Sequence, residues 1–174
     1  MSHTFHSLIR SVGLSVPKGL ANPAIHKISS DSRSVETGGL FLGQPGVRVD
    51  GGMFAAKALE SGAVAACISK KAAEKLPTEL AELVVVLPEP VEKWIGQIAA
   101  AFWENPSSKM SLIGVTGTNG KTTTTYLIDY LGTKLGKSTA LFGTLINRWP
   151  QHISNSLHTT DFPDSLQQNL ALAL

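Results

Sequence analysis

The stretch Ser111-Leu-Ile-Gly-Val115-Thr-Gly-Thr-Asn-Gly-Lys121-Thr-Thr-Thr-Thr125 decides how the second half of this chain is read. An apolar run, a glycine-rich turn and a helical sequence follow one another, the order of a strand, a phosphate loop and a helix. Glycines let the backbone reverse so that successive N–H groups converge, and the N-terminus of the next helix adds partial positive charge at the same place. Lys121 brings a full charge suited to β- and γ-phosphates, and the Thr122 hydroxyl suits the Mg²⁺ that bridges them. The loop Thr116, Gly117, Thr118, Asn119, Gly120, Lys121 and Thr122 is a variant, T-G-T-N-G-K-T, because Val115 stands where the strict pattern has glycine. It predicts ATP and Mg²⁺ as cofactors. Thr124 and Thr125 are assigned to helix packing.

Working outward, a helix over 121–135 and a strand over 138–142 predict a parallel βαβ unit, the truncated start of a P-loop doubly wound parallel-sheet domain. A further helix is expected from Ser165, capped by Asp161 or Asp164. Toward the N-terminus, Glu104-Asn105-Pro106-Ser107-Ser108 is polar and carries a proline that disfavours helix before it. This predicts a linker over 104–109 and two domains, 1–105 and 106–174. The first reads as a small α/β domain with strands at Leu40–Leu42, Ala63–Ile68 and Leu83–Leu87, and a helix over Gly52–Gly62. A second helix over Pro90–Trp103 places Val91, Trp94, Ile95, Ile98, Ala99 and Phe102 on one face, with Trp94, Phe102 and Trp103 read as core or domain-interface residues.

With 43% hydrophobic and 16% charged residues among 174, the chain has material for a folded core. A net charge of +2, with Lys and Arg scattered singly, predicts no nucleic-acid partner. No apolar run approaches the roughly 20 residues of a membrane span, and the first residues lack a leader pattern, so a cytoplasmic protein without a membrane partner is expected. Cys67 sits in an apolar run and reads as a small buried hydrophobe. The five histidines lack metal-ligand spacing, so no zinc site is expected.

The run Gly114–Thr125 resembles the ATP-binding loop of the Mur ligases, which activate a carboxylate as an acyl phosphate and couple it to an amine. Related loops occur in cyanophycin synthetase and folylpolyglutamate synthase. Ile28-Ser-Ser30-Asp-Ser32-Arg-Ser-Val35, Gly38-Gly-Leu-Phe-Leu42, Gly46, Asp50-Gly51 and Gly62-Ala63 resemble the UDP-binding domain of the third and fourth ligases of peptidoglycan synthesis. Thr118 with its threonine run, and Leu157-His158-Thr159-Thr160, are similar to the tripeptide-forming member.

The resemblance implies that Ser30, Ser32, Val47, Arg48 and Val49 contact the uridine diphosphate. It implies that His158, Thr159 and Thr160 contact the muramoyl dipeptide, and that Lys121 is catalytic. On residue chemistry alone, Ser30-Asp31-Ser32 also reads as a turn, Arg33 as a solvated charge and Arg48 as a loop residue. The chain departs from the family where Val47-Arg48 replaces a common His-Gln pair, and where Asp161-Phe162 precedes Pro163 after the threonine pair. The implied activity is ATP-dependent addition of diaminopimelate or lysine to UDP-MurNAc-L-Ala-D-Glu. The chain is then expected to be a monomeric N-terminal fragment that does not ligate alone. Two alternatives are a UDP-sugar-binding module without chemistry and a cyanophycin-synthetase-like ligase, the latter leaving the D-S-R and G-x-L-F segments unexplained.

Overall fold

The computed structural model describes residues 3–156 and 160–174. The chain divides into two compact units, residues 1–105 and 106–174.

In the first unit, β1 (His3–Thr4) pairs antiparallel with β2 (Ala24–Ile25), and α1 (Phe5–Ser11) starts where the Thr4 side chain accepts the Ser7 N–H. A parallel sheet follows, formed by β3 (Lys27–Ser29), β4 (Gly39–Leu42), β5 (Ala63–Ile68) and β6 (Val84–Val86) in that order. The connections carry α2 (Ala55–Glu60), entered through a 3₁₀ turn at Gly51–Phe54, and α3 (Lys70–Ala73); α4 (Val91–Phe102) follows β6.

Alternation along the strands explains the layers. Leu40 and Leu42 of β4, with Ala65 and Cys67 of β5, pack against Leu8 and Ile9 of α1 and Val91, Ile95 and Ile98 of α4. Phe41, Ala66 and Ile68 point the other way, onto Ala55 and Ala58 of α2 and Ala72 of α3. Both faces are covered, so β4 is buried along its whole length and reads as a continuous apolar run. The alanines of β5 let helices approach closely, and Cys67 is fully buried, which pushes its thiol pKa up.

The three strands expected from apolar runs lie in β4, β5 and β6, and the helix expected over 90–103 is α4. The helix expected over 52–62 is divided into the 3₁₀ turn and α2, and ends at Gly62 in a positive-φ conformation. The expected linker is instead ordered: Glu104 and Asn105 take positive φ, and Pro106–Lys109 forms a 3₁₀ turn.

The second unit holds α5 (Lys121–Lys134), a three-stranded sheet of β7 (Leu141–Phe142), β8 (Ile146–Trp149) and β9 (His152–Asn155), and α6 (Pro163–Leu172). Here the parallel βαβ expectation is corrected. Residues 111–115 form no strand, and β7 pairs antiparallel with β8. The physical reason is neighbour supply: a parallel pair needs a long crossover and a strand alongside, whereas Gly143-Thr144-Leu145 closes a local hairpin at small entropic cost. Leu112 and Ile113 accordingly stay 56% and 68% exposed. The last helix begins at Pro163, two residues before the expected start, because proline suits the first turn. Asp164 therefore lies within that turn, and Phe162 occupies the cap position. Among the described residues, no helix is long and apolar enough to cross a membrane.

Candidate functional site

The loop before α5 has the conformation its glycines permit. Gly117 and Gly120 both take positive φ (146° and 80°), and Gly120 is the N-cap of α5. The first N–H groups of that 14-residue helix have no intrahelical acceptor and open toward the loop, whose residues 116–120 are exposed. The Lys121 ammonium folds back and donates to the Gly117 carbonyl at 2.6 Å, so its charge sits over the loop. Thr122 follows in the first turn and is half-buried. Thr125 donates its hydroxyl to the Thr122 carbonyl at 2.9 Å, a local helix contact in keeping with its packing assignment. The residues fit a polyphosphate: a cation and helix-terminal donors coincide on an exposed loop. Among the described residues, no group of three or more His, Cys, Asp or Glu could hold a metal ion.

A second cluster lies at the carboxyl edge of the parallel sheet. The segment after β3 turns on Asp31, whose backbone carbonyl accepts from the Ser29 and Ser34 hydroxyls at 3.1 and 3.3 Å. Arg33 donates to the Asp31 carboxylate through Nε at 3.0 Å, Nη2 at 2.8 Å and its backbone N–H at 2.9 Å. The Arg33 side-chain hydrogen bond holds the Asp31 pKa at about 2, below its ordinary value, and Asp31 in turn raises that of Arg33. The segment is a turn, as its residue chemistry suggests, and Arg33, expected as a solvated charge, is exposed but ion-paired with Asp31. Ser32 is buried at 8% exposure, and Ser30 is half-buried.

The segment after the neighbouring strand β4 forms a tight loop closed by a Pro45–Asp50 bridge and by the Gly46 N–H to the Val49 carbonyl at 3.0 Å. Val47, Arg48 and Val49 are its exposed tip. The base of the loop depends on glycine, since a Cβ on Gly43 would lie 2.5 Å from the Gly52 Cα. The Asp50 carboxylate accepts from the Gly52 N–H at 2.8 Å and from the Ser69 hydroxyl at the end of β5. Loops from β3, β4 and β5 therefore share one sheet edge, the usual ligand edge of an open parallel sheet. His158 and Thr159 lie outside the described residues, and Thr160 is exposed.

Two polar centres were not anticipated from the sequence, in which Asp161 was expected only as a helix cap. Asp129, buried on α5, accepts from the Thr139 hydroxyl at 2.7 Å and from Arg148 of β8. Asp161 accepts from the side-chain amides of Asn147 and Asn169 at 3.2 and 3.0 Å. An acid between Ile128 and Tyr130 on a helix was the only local hint of the first.

The model of the Mur ligase family, catalytic domain, matches residues 24–103, and that of the Mur ligase middle domain matches residues 115–173. The chain belongs to the Mur ligase family. It is 58% identical over its full length to a UDP-N-acetylmuramoyl-L-alanyl-D-glutamate--2,6-diaminopimelate ligase of Prochlorococcus marinus (strain MIT 9313), covering 34% of that protein. A protein of the same name from Synechocystis sp. (strain ATCC 27184 / PCC 6803 / Kazusa) is 47% identical over 87% of this chain and 31% of its own length. Among solved structures, one of a ligase of that name superposes with a TM-score of 0.66 at 25% identity, covering 99% of this chain and 34% of that one. The MurF structure from Acinetobacter baumannii superposes at 0.56 with 21% identity over the whole chain and 33% of its own, a likeness of fold. This Mur ligase chain spans about a third of the length of the relatives it matches.

Proposed function

We propose that this chain supplies the precursor-binding and phosphate-binding portions of an ATP-dependent ligase that joins diaminopimelate to UDP-MurNAc-L-Ala-D-Glu. The observation that carries the reading is the Lys121 ammonium held over the Gly117 carbonyl, at the mouth of a loop that ends on the N-terminus of α5. The names of the relatives supply the amino acid and the acceptor.

In this reading residues 1–105 are the UDP-precursor domain, and residues 106–174 open the ATP-binding domain. Lys121 releases the Gly117 carbonyl and turns onto the β- and γ-phosphates, while the N–H groups of Thr118 to Thr122 hold the remaining oxygens. Thr122 would offer its hydroxyl to Mg²⁺, which when bound would supply charge neutralisation at the transferring phosphoryl group. Ser30 and Ser32 offer hydroxyls to the uridine diphosphate from the turn fixed by Asp31 and Arg33, with Val47, Arg48 and Val49 completing that contact. His158, Thr159 and Thr160 hold the muramoyl dipeptide so that its glutamyl carboxylate meets the γ-phosphoryl group. The working form is a cytoplasmic monomer.

The test is release of phosphate from ATP by a ligase-length protein containing this sequence. The release is expected to require UDP-MurNAc-L-Ala-D-Glu together with diaminopimelate. Equal release without either substrate, or with lysine in place of diaminopimelate, would contradict the reading.

A further inference from the structure

The loop proposed to meet the uridine diphosphate presents an exposed tip on a closely packed stem. Val47, Arg48 and Val49 are exposed, Val47 fully so. The stem closes where the Gly51 N–H donates to the Gln44 carbonyl at 3.0 Å and Pro45 bridges Asp50. Beneath it the chain packs at glycine: a Cβ on Gly43 would lie 2.5 Å from the Gly52 Cα, and one on Gly52 would lie 2.7 Å from the Ala72 Cβ. Apolar contact of this kind is non-directional, so the orientation of the stem falls to its hydrogen bonds.

Asp50 supplies them. Its Oδ1 accepts from the Gly52 N–H at 2.8 Å within the stem, and its Oδ2 accepts from the hydroxyl of Ser69, 19 residues further along the chain. Ser69 directly follows β5 and is only 4% exposed. Its Oγ also accepts the Ala72 N–H at 3.0 Å, which caps α3. The hydroxyl is therefore used in both senses: its proton goes to the loop, and a lone pair goes to the helix behind the loop. A hydrogen bond from a buried donor to a carboxylate is among the stronger kinds. A loop held beforehand in its binding shape loses less freedom when a ligand arrives, so affinity at the tip depends on a bond made at the base.

We propose that Ser69 is a positioning residue for nucleotide binding. Through Asp50 it sets the loop that carries Arg48, and it does not itself touch the ligand. The inference rests on the reading of Val47, Arg48 and Val49 given above.

Calorimetric titration of UDP into the 174-residue chain tests it, arranged as a double-mutant cycle between Ser69 and Arg48. Ser69→Ala is expected to weaken UDP binding about 10-fold, the scale of losing a hydrogen bond to a charged group. In the Arg48→Ala background the same change is expected to cost less than about 3-fold, because the group it positions is gone. Ser69→Thr keeps the hydroxyl and is expected to restore most of the affinity. The Gly46 N–H, which donates to the Val49 carbonyl across the loop, is expected to exchange faster in Ser69→Ala than in the wild type. Should Ser69→Ala fail to fold for want of its cap on α3, Asp50→Asn leaves that cap in place and is expected to show the same coupling to Arg48. Equal UDP affinity in the wild type and Ser69→Ala, beside a loss in Arg48→Ala, would overturn the inference alone. So would an equal fold-loss from Ser69→Ala in both backgrounds, since Ser69 would then act on the fold and not through the loop. UDP affinity unmoved by Arg48→Ala would overturn the underlying reading of the loop, and the inference with it.

Discussion

The parallel sheet of residues 27–86 and the antiparallel hairpins of residues 141–155 bury their strands to opposite degrees. Every residue of β4 is buried, because strands flank it on both sides and helices cover both faces. Every residue of β9 is exposed, and Leu141 is the buried apolar residue of its sheet. The two candidate ligand regions inherit this difference. The loops after β3 and β4 rise from a buried frame and are tied down by Asp31, Asp50 and Ser69. The phosphate loop leads from an unpaired segment into α5, and its shape comes from its own glycines and Lys121. The loop after β4 is held by a tertiary contact from Ser69 to Asp50, whereas the Asp31 turn and the phosphate loop are held by local chemistry.

If that contrast is right, core damage in the first unit should be costly and confined to it. Phe41→Ala, which removes a ring only 1% exposed, is expected to destabilise the first unit by about 3–5 kcal/mol and to leave nucleotide affinity unchanged. Denaturant unfolding monitored beside ATP titration checks both halves of the statement. A parallel loss of ATP affinity would break the comparison.

In the second unit a buried carboxylate, Asp129, ties α5 to β8. Replacing it with alanine removes the acceptor for Arg148 and the Thr139 hydroxyl, and is expected to cost about 1–3 kcal/mol. Urea unfolding of the wild type and the variant measures it. A change near zero would mean that α5 and β8 are held by something other than this carboxylate.

The smallest effect expected is at the Asp31–Arg33 pair, which is exposed and screened. Asp31 has a folded pKa of about 2, below its ordinary 3.8, so its contribution to stability is present above pH 3.8 and fades as pH falls toward 2. Arg33→Ala is expected to move the Asp31 carboxyl, followed by NMR titration, back toward its ordinary value. It should also flatten the slight acid dependence of stability in that window. An unmoved Asp31 titration would show that backbone donors alone hold the turn.

What could be read in the sequence follows the same division. The Ala63–Ile68 run was legible because a strand buried on both faces needs apolar residues at every position. β3 was not, because Lys27-Ile28-Ser29 is a short edge strand with polar residues on either side of a single isoleucine. The phosphate loop was legible from local spacing, since Gly117 and Gly120 take the positive φ that only local geometry requires. The strand expected at 111–115 failed for the complementary reason. Leu112, Ile113 and Val115 are suited to a strand, but strand formation is decided by a partner that no local pattern encodes. The ties of Asp129 to Arg148 and of Asp161 to Asn147 were beyond reach because the partners are 19 and 14 residues apart in the chain.

In the proposed reading the loop from Thr116 to Thr122 binds the phosphates of ATP through Lys121. Calorimetric titration of ATP with Mg²⁺ into the 174-residue chain, wild type beside Lys121→Ala, tests it most directly. One site is expected in the wild type and loss of measurable binding in the variant, because the motif directs no other full positive charge at the phosphates. Equal ATP affinity in the two proteins would contradict it.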